Sequence, residues 1–249
     1  MVFCYALSMV SGLAFACSTD EAPADLVQRA SAALYGKLDT TRIRPLLVKM
    51  SGIVKVDGND VHFVDESIVQ WPDRRRSQLQ LEVNNKAHTV FHFLNGRDGW
   101  MTYMGQTHEV SPEGLRELQD GVYRGQVTTL QPLMVNQDEF TLSAIESIQI
   151  DGKAALGLKV ASKGQHDIKL YFDKSTLLLR RLESLSWDAE KKKLVPYMIE
   201  INAYAEIDGR KVPKRVTLHQ DGQKVSDAEI LEWKLLDRVD DSLFIRPKP

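Results

Sequence analysis

Between residue 199 and its C-terminus the chain places two Asp-Gly pairs, Asp208-Gly209 and Asp221-Gly222, each between runs in which apolar and polar residues alternate. Such a pair is the strongest local signal for a two-residue hairpin turn. A type I′ turn needs positive φ at both central positions, which Gly adopts freely and Asp tolerates. Three consecutive antiparallel strands follow. On the middle one Val212, Lys214, Val216 and Leu218 share a side, and Lys211, Pro213, Arg215, Thr217 and His219 share the other. The first set is expected to face a core, with Lys214 as its exception.

The same alternation fills most of the chain. Residues 46–56 and 61–69 flank a turn at 57–60; residues 77–83 and 89–94 flank Asn84-Asn85; residues 100–104 follow the Gly-containing turn 95–99. Further on, 140–150 and 154–161 flank Asp151-Gly152, and 166–172 leads to a turn at Asp173-Lys174-Ser175. The count comes to about eleven to thirteen antiparallel strands. No segment repeats at a fixed period, and no helix-strand rhythm points to a parallel nucleotide-binding sheet.

Two stretches break the pattern. Residues 23–38 carry Leu26, Val27, Ala30, Ala33, Leu34 and Leu38 at three-to-four spacing, with Asp20, Glu21 and Asp25 near the N-terminal end, which predicts an amphipathic helix. Residues 111–134 begin with a capping serine, Ser111, then Pro112 and Glu113, and carry the stripe Leu115, Leu118, Val122. A helix is expected there too, divided by Gly121, Gly125 and Pro132 into two short pieces, with Val127, Leu130, Leu133 and Met134 apolar on the second.

At the N-terminus, residues 1–19 hold no charged side chain, and the apolar run ends in Ala14-Phe15-Ala16. This predicts a secretory signal covering residues 1–16, with 17–249 as one mature domain. Cys17 then stands where a bacterial lipoprotein carries its acylated cysteine, which would anchor the chain to a membrane without a spanning helix; the alternative is a soluble chain released by the signal peptidase. Cys4 would be lost with the signal. That leaves no internal disulfide and makes apolar burial the main source of stability.

Chemistry-bearing motifs are absent from the sequence. It has no Gly-rich phosphate loop, no HExxH and no G-x-S-x-G, so no catalytic residue, metal ligand or cofactor is assigned. His88 and His92 fall on one face of a strand but about 13 Å apart, too far for one metal. The six histidines are expected to be exposed. With a net charge of −2 the chain lacks the basic excess of a nucleic-acid binder. Its two basic clusters, Arg74-Arg75-Arg76 and Lys191-Lys192-Lys193, are expected in solvated loops, with contact to an anionic membrane as the sharper alternative.

The C-terminal meander also carries a resemblance. Tyr204, Asp208-Gly209, Lys211, Pro213, Asp221-Gly222, Lys224-Val225 and the terminal Asp240-Asp241-Ser242-Leu243-Phe244 with Pro247 resemble the outer-membrane lipoprotein-sorting superfamily of bacterial envelope proteins, with its LolA/LolB-like, RseB-like and LppX-like members. The stretch 170–184 is similar to it as well. The resemblance implies a mainly β chain with some α: a strongly curved antiparallel sheet, a half-open barrel, covered by an N-terminal helix and a mid-chain helical lid. It also implies a periplasmic or envelope location and an Arg on an early strand that latches the lid, a role assigned here to none of Arg74, Arg75 and Arg76.

Two functions are compatible with that fold. One is a carrier that shelters the acyl chains of a lipid or lipoprotein, each buried methylene contributing about 0.8 kcal/mol. The other is an envelope interaction or sensor module with a filled core and a protein partner. For the carrier, alternation and helix stripes nominate Leu79, Leu81, Phe91, Phe93, Trp100, Leu115, Leu118, Leu130, Leu156, Leu158, Leu170, Phe172, Tyr197, Ile199 and Ile201 as the cavity lining. Cavity volume separates the two readings.

Overall fold

The computed structural model of this chain describes residues 22–37, 40–188 and 191–246. The expected signal segment, Cys17, Leu38 and Pro247 lie outside the described residues. A first helix, α1 (Pro23–Tyr35), leads into six strands joined as successive hairpins: β1 (Leu46–Val56), β2 (Asn59–Gln70), β3 (Arg74–Val83), β4 (Lys86–Asn95), β5 (Asp98–Tyr103) and β6 (Gln106–Glu109). Two helices follow, α2 (Pro112–Val127) and α3 (Gln131–Val135). Seven more strands complete the chain: β7 (Phe140–Ile150), β8 (Lys153–Ser162), β9 (Ile168–Asp173), β10 (Leu179–Asp188), β11 (Lys193–Ile207), β12 (Arg210–Gln220) and β13 (Gln223–Leu235).

All thirteen form one antiparallel sheet in the order β6-β5-β4-β3-β2-β1-β13-β12-β11-β10-β9-β8-β7. The chain therefore starts in the middle, walks out to one edge at β6 and returns from the other edge, β7, until β13 pairs with β1. The sheet does not close. Its two edges are joined only by the segment holding α2 and α3, so that segment has to cross the sheet, and with α1 it covers the inner face of the half-open barrel.

The turns behave as their residues dictate. Asp57-Gly58, Asp151-Gly152, Asp208-Gly209 and Asp221-Gly222 all take positive φ at both positions, Asp near 50° and Gly at 72–77°, which is the backbone a two-residue I′ turn demands. A strand that the sequence reading left out, β6, is formed the same way, by a turn at Met104 (φ 50°) and Gly105 (φ 77°). Met at such a position carries no turn signal.

Both helices form, with shifted ends. α1 stops at Tyr35 because Gly36 takes φ 60° and its N–H donates to Ala32 O at 2.9 Å. α2 starts where expected, with Ser111 Oγ accepting from Gly114 N at 3.1 Å. Contrary to expectation, it runs through Gly121 and Gly125, and the break comes at Leu130, held at φ 60°. A Cβ on Gly121 would lie 3.3 Å from Nη1 at the end of the Arg75 side chain, so α2 passes close over Arg75 at this point.

The interior is solid at one end of the barrel. Leu26, Val27 and Ala30 of α1, Tyr123 and Val127 of α2, and Leu130 and Leu133 pack onto Phe140, Leu158, Val160, Ile168, Leu170, Phe172, Leu179, Leu182 and Ile201 of β7–β11. A hydrogen-bonded knot fixes the helices over it. Tyr35 OH donates to Thr129 O at 2.6 Å, Gln131 Nε2 donates to Tyr35 OH at 3.4 Å, and Gln131 Oε1 accepts from Arg44 N at 2.8 Å. Burial pushes the Tyr35 phenol up, so it stays a neutral donor. Over the other half α2 touches the sheet through Leu115, Leu118 and Val122, which meet Val69 and Leu94, and through Gln126, whose Nε2 donates to Val69 O at 3.3 Å.

Candidate functional site

Residues directly opposite on paired strands share a face, so the strand registers sort every side chain as inner or outer. Across β1–β4 the inner rows are Gly52–Phe63–Leu81–His88, Met50–Asp65–Leu79–Val90, Val48–Ser67–Ser77–His92 and Leu46–Val69–Arg75–Leu94. Across β8–β12 one inner row is Leu158–Leu170–Leu182–Ile199–Leu218. Leu79, Leu81, Leu156, Leu158, Leu170, Phe172, Tyr197, Ile199 and Ile201 are thus inner residues, as nominated, and Leu115, Leu118 and Leu130 lie on the covering helices and their junction.

Phe91, Phe93 and Trp100 are not. They pair with Gln78, Arg76 and one another on the outer face, so their nomination as cavity lining is corrected. The cause is a cover contributed from far along the chain: Phe244, fully buried, stacks under the Arg74 guanidinium at 5.9 Å, Asp241 binds Arg74 Nη1 at 2.6 Å, and Arg76 lies 5.6 Å over Phe91. This patch gives β4 apolar residues on both faces, Val90 and Leu94 inward and Phe91 and Phe93 outward. The three arginines accordingly lie in a strand and not in a solvated loop: Arg74 and Arg76 outward, Arg75 inward.

Most of the inner nominees are packed in or against the apolar cluster. Leu130, Leu158, Leu170, Phe172 and Ile201 belong to the solid cluster, with Leu156, Tyr197 and Ile199 packed against it. The open room is elsewhere, between α2 and the inner face of β1–β4 and β12–β13. It is a groove of about 400 Å³ lined by Met50, Val54, Phe63, Leu79, Leu118, Tyr197, Leu218 and Ser226, and by the charged or polar Asp65, Arg75, Ser77 and His92. Of the fifteen nominees, Leu79, Leu118 and Tyr197 reach it.

A polar network crosses the floor of this groove, which no sequence motif announced. Asp65 is buried, and its two oxygens accept from Ser67 Oγ at 2.6 Å and Ser77 Oγ at 2.7 Å. Ser67 Oγ in turn accepts from Arg75 Nη2 at 3.3 Å, and the buried Arg75 Nε has no hydrogen-bond partner. Beside them His92 is not an exposed strand histidine. Burial first, then the Arg75 charge, lowers its pKa, with Asp65 opposing, so the ring is neutral at ordinary pH. The only sequence signal was period-two alternation, which puts Asp65, Ser67, Ser77 and His92 on one face once register is known.

One wall of the groove is latched. On α2, Arg124 pairs with Glu117, donates to Leu185 O at 3.0 Å and lies 4.3 Å over the Tyr197 ring, and Glu117 Oε2 accepts from Trp187 N at 3.1 Å. Helix and sheet are thereby tied at β10–β11, with Tyr197 shared between the latch and the groove lining. A larger depression of about 490 Å³ opens near Lys159, Lys169, Glu183, Met198 and His219, but its charged groups pair off, Lys159 with Asp167 at 3.5 Å and Lys169 with Glu183 at 3.8 Å. Among the described residues no cluster of three or more His, Cys, Asp or Glu is arranged to hold a metal, and no helix is long and apolar enough to cross a membrane.

The fold, an unclosed antiparallel half-barrel roofed by helices, has known counterparts. A LolA superfamily protein from Nitrosomonas europaea superposes with a TM-score of 0.56 at 12% identity, covering 89% of this chain and 96% of its own. A DUF1329 family protein from Desulfovibrio piger gives 0.55 at 14% identity, with 90% and 95% covered. A domain from Vibrio parahaemolyticus that carries the name of the outer membrane lipoprotein-sorting proteins gives 0.52 at 10% identity, with 89% and 95% covered. No family model matches the sequence, and no curated protein matches it. The chain has the fold of the lipoprotein-sorting superfamily, as the C-terminal meander implied, and at these identities the likeness is one of fold.

Proposed function

We propose that this chain is a cell-envelope binding or carrier protein that shelters an acyl chain in the groove between α2 and β1–β4. The observation that carries the reading is the groove itself: about 400 Å³ of open room beside Met50, Val54, Phe63, Leu79 and Leu218, in a barrel whose other half is filled. That volume lies in the ~300–1,000 Å³ range of small-molecule sites and near its lower end, so the site suits one chain better than a multiply acylated lipoprotein anchor. Partial burial of a chain of ordinary length contributes ~5–10 kcal/mol before ordering costs. The Vibrio neighbour of the same fold, named for outer membrane lipoprotein sorting, supports an envelope location and an acylated cargo. On this reading the chain has the signal at residues 1–16 and the single domain 17–249, either anchored through an acylated Cys17 or released as a soluble chain. No catalytic role is proposed.

The test is to extract the purified protein, analyse the extract by mass spectrometry and titrate the protein with a fluorescent fatty acid. A co-purifying acyl compound and displaceable probe binding are expected. An empty extract and no probe binding would end the carrier reading. The solid β7–β11 half would then favour the interaction or sensor module with a protein partner.

A further inference from the structure

Arg75 has a charge that the fold does not use up. A guanidinium has five N–H donors, and the structure gives Arg75 one hydrogen bond, the 3.3 Å contact to Ser67. Among the described residues no carboxylate oxygen lies within 4.0 Å of it. Asp65 shares the floor, but its two oxygens are taken by the Ser67 and Ser77 hydroxyls. A half-buried cation with donors to spare is matched by an oxyanion, since forked bonds to a carboxylate or phosphate are the strongest a guanidinium makes. From Arg75 the apolar side chains of Phe63, Leu79, Met50 and Val54 carry the wall onward, with Asp65 the other charged residue of the lining.

We propose that the groove takes a single-chain amphiphile with an anionic head, a carboxylate or a phosphate, its oxyanion on Arg75 and its chain along Phe63, Leu79, Met50 and Val54. This assignment rests on the acyl-chain reading above and adds the chemistry of the head. Asp65 works against it by repulsion across the floor, so the two charges have opposite effects on the same ligand.

The experiment is calorimetric titration of the folded protein with decanoate, decyl phosphate, decanol, acetate and inorganic phosphate. At least one of the two acids should bind about tenfold or more tightly than decanol, a factor that one charge-assisted pair supplies, and whichever acid wins identifies the head. Acetate and inorganic phosphate should bind far more weakly than their decyl counterparts. Arg75→Gln should bring the acids to the level of decanol without changing decanol, and Asp65→Asn should tighten the acids severalfold. A variant that merely misfolds cannot produce these opposite signs. Equal binding of decanol and both acids, or a preference that survives Arg75→Gln, would overturn the head assignment and leave the acyl groove standing. Inorganic phosphate binding as tightly as decyl phosphate would overturn the amphiphile. If no decyl compound binds, both readings fall.

Discussion

The Arg124 guanidinium of α2 lies 4.3 Å over the ring of Tyr197 on β11, and this contact, with the Glu117 pair, is where the covering helix is held to the sheet. The two members of the pair are not equally buried: the Arg124 side chain is 5% exposed and that of Glu117 33%. Glu117→Ala strands a guanidinium away from water, whereas Arg124→Met strands a carboxylate that water still reaches. Urea denaturation should therefore show Glu117→Ala as the more damaging change, by about 3 kcal/mol against about 1–2 kcal/mol for Arg124→Met. The reverse order would mean that the cation is better solvated than its surroundings allow.

The division of the barrel into a filled and an open half predicts two different phenotypes for leucines of the same inner face. Leu158→Ala, at a fully buried site, should cost about 2–5 kcal/mol of stability and leave probe affinity within twofold. Leu79→Trp, which projects into the groove, should cost little stability and weaken a bound fatty-acid probe about tenfold or more by occupying its space.

Outer-face residues give the complementary control. Phe91→Ser should leave fatty-acid binding unchanged, since the side chain lies under Arg76 on the opposite side of the sheet. Phe93→Ala should lower stability by about 3 kcal/mol with binding again unchanged. Loss of binding in Phe91→Ser at full stability would contradict the register.

Acid stability has a local origin at the β9–β10 turn. Burial pushes the Asp173 carboxyl up, but the Ser175 hydroxyl and the Thr176 and Ser175 backbone N–H groups, with the Thr176 side chain, outweigh it and hold the pKa at about 2. A depressed folded value favours the folded state fully above the unfolded value near 4, and the contribution disappears as pH falls from about 4 to about 2. Asp173→Asn should be less stable than the parent at pH 7, and the gap measured by urea denaturation should shrink across that window.

Gly36 admits no side chain for two separate reasons. Its φ is 60°, and a Cβ would stand 2.6 Å from Gly209 O in the β11–β12 turn. Gly36→Ala should cost roughly 1–3 kcal/mol, beyond the strain of a left-handed alanine alone, because the end of α1 must move off the turn.

Much of this architecture was visible in local chemistry. Asp-Gly pairs set hairpins, Ser111-Pro112 set the start of α2, and alternation set the strands, because each of these depends on residues a few positions apart. Alternation put Leu79 and Tyr197 on one face of their strands, and the helical stripe put Leu118 on the buried side of α2. Phe91, Phe93 and Trp100 were misplaced because alternation says which residues share a side and not which side is covered. That depended on Phe244, some 150 positions away. Arg75 was hidden in a run of three charges whose middle member alone turns inward.

Sequence by itself therefore determined the strands, the turns and the helical interruption, since these are short-range properties of backbone dihedrals and side-chain period. Tertiary structure alone decided which half of the barrel is full and which is open. It also decided that Asp65, Ser67, Ser77, Arg75 and His92 meet beneath α2, because these outcomes depend on strand register and on where the crossing helices come to rest.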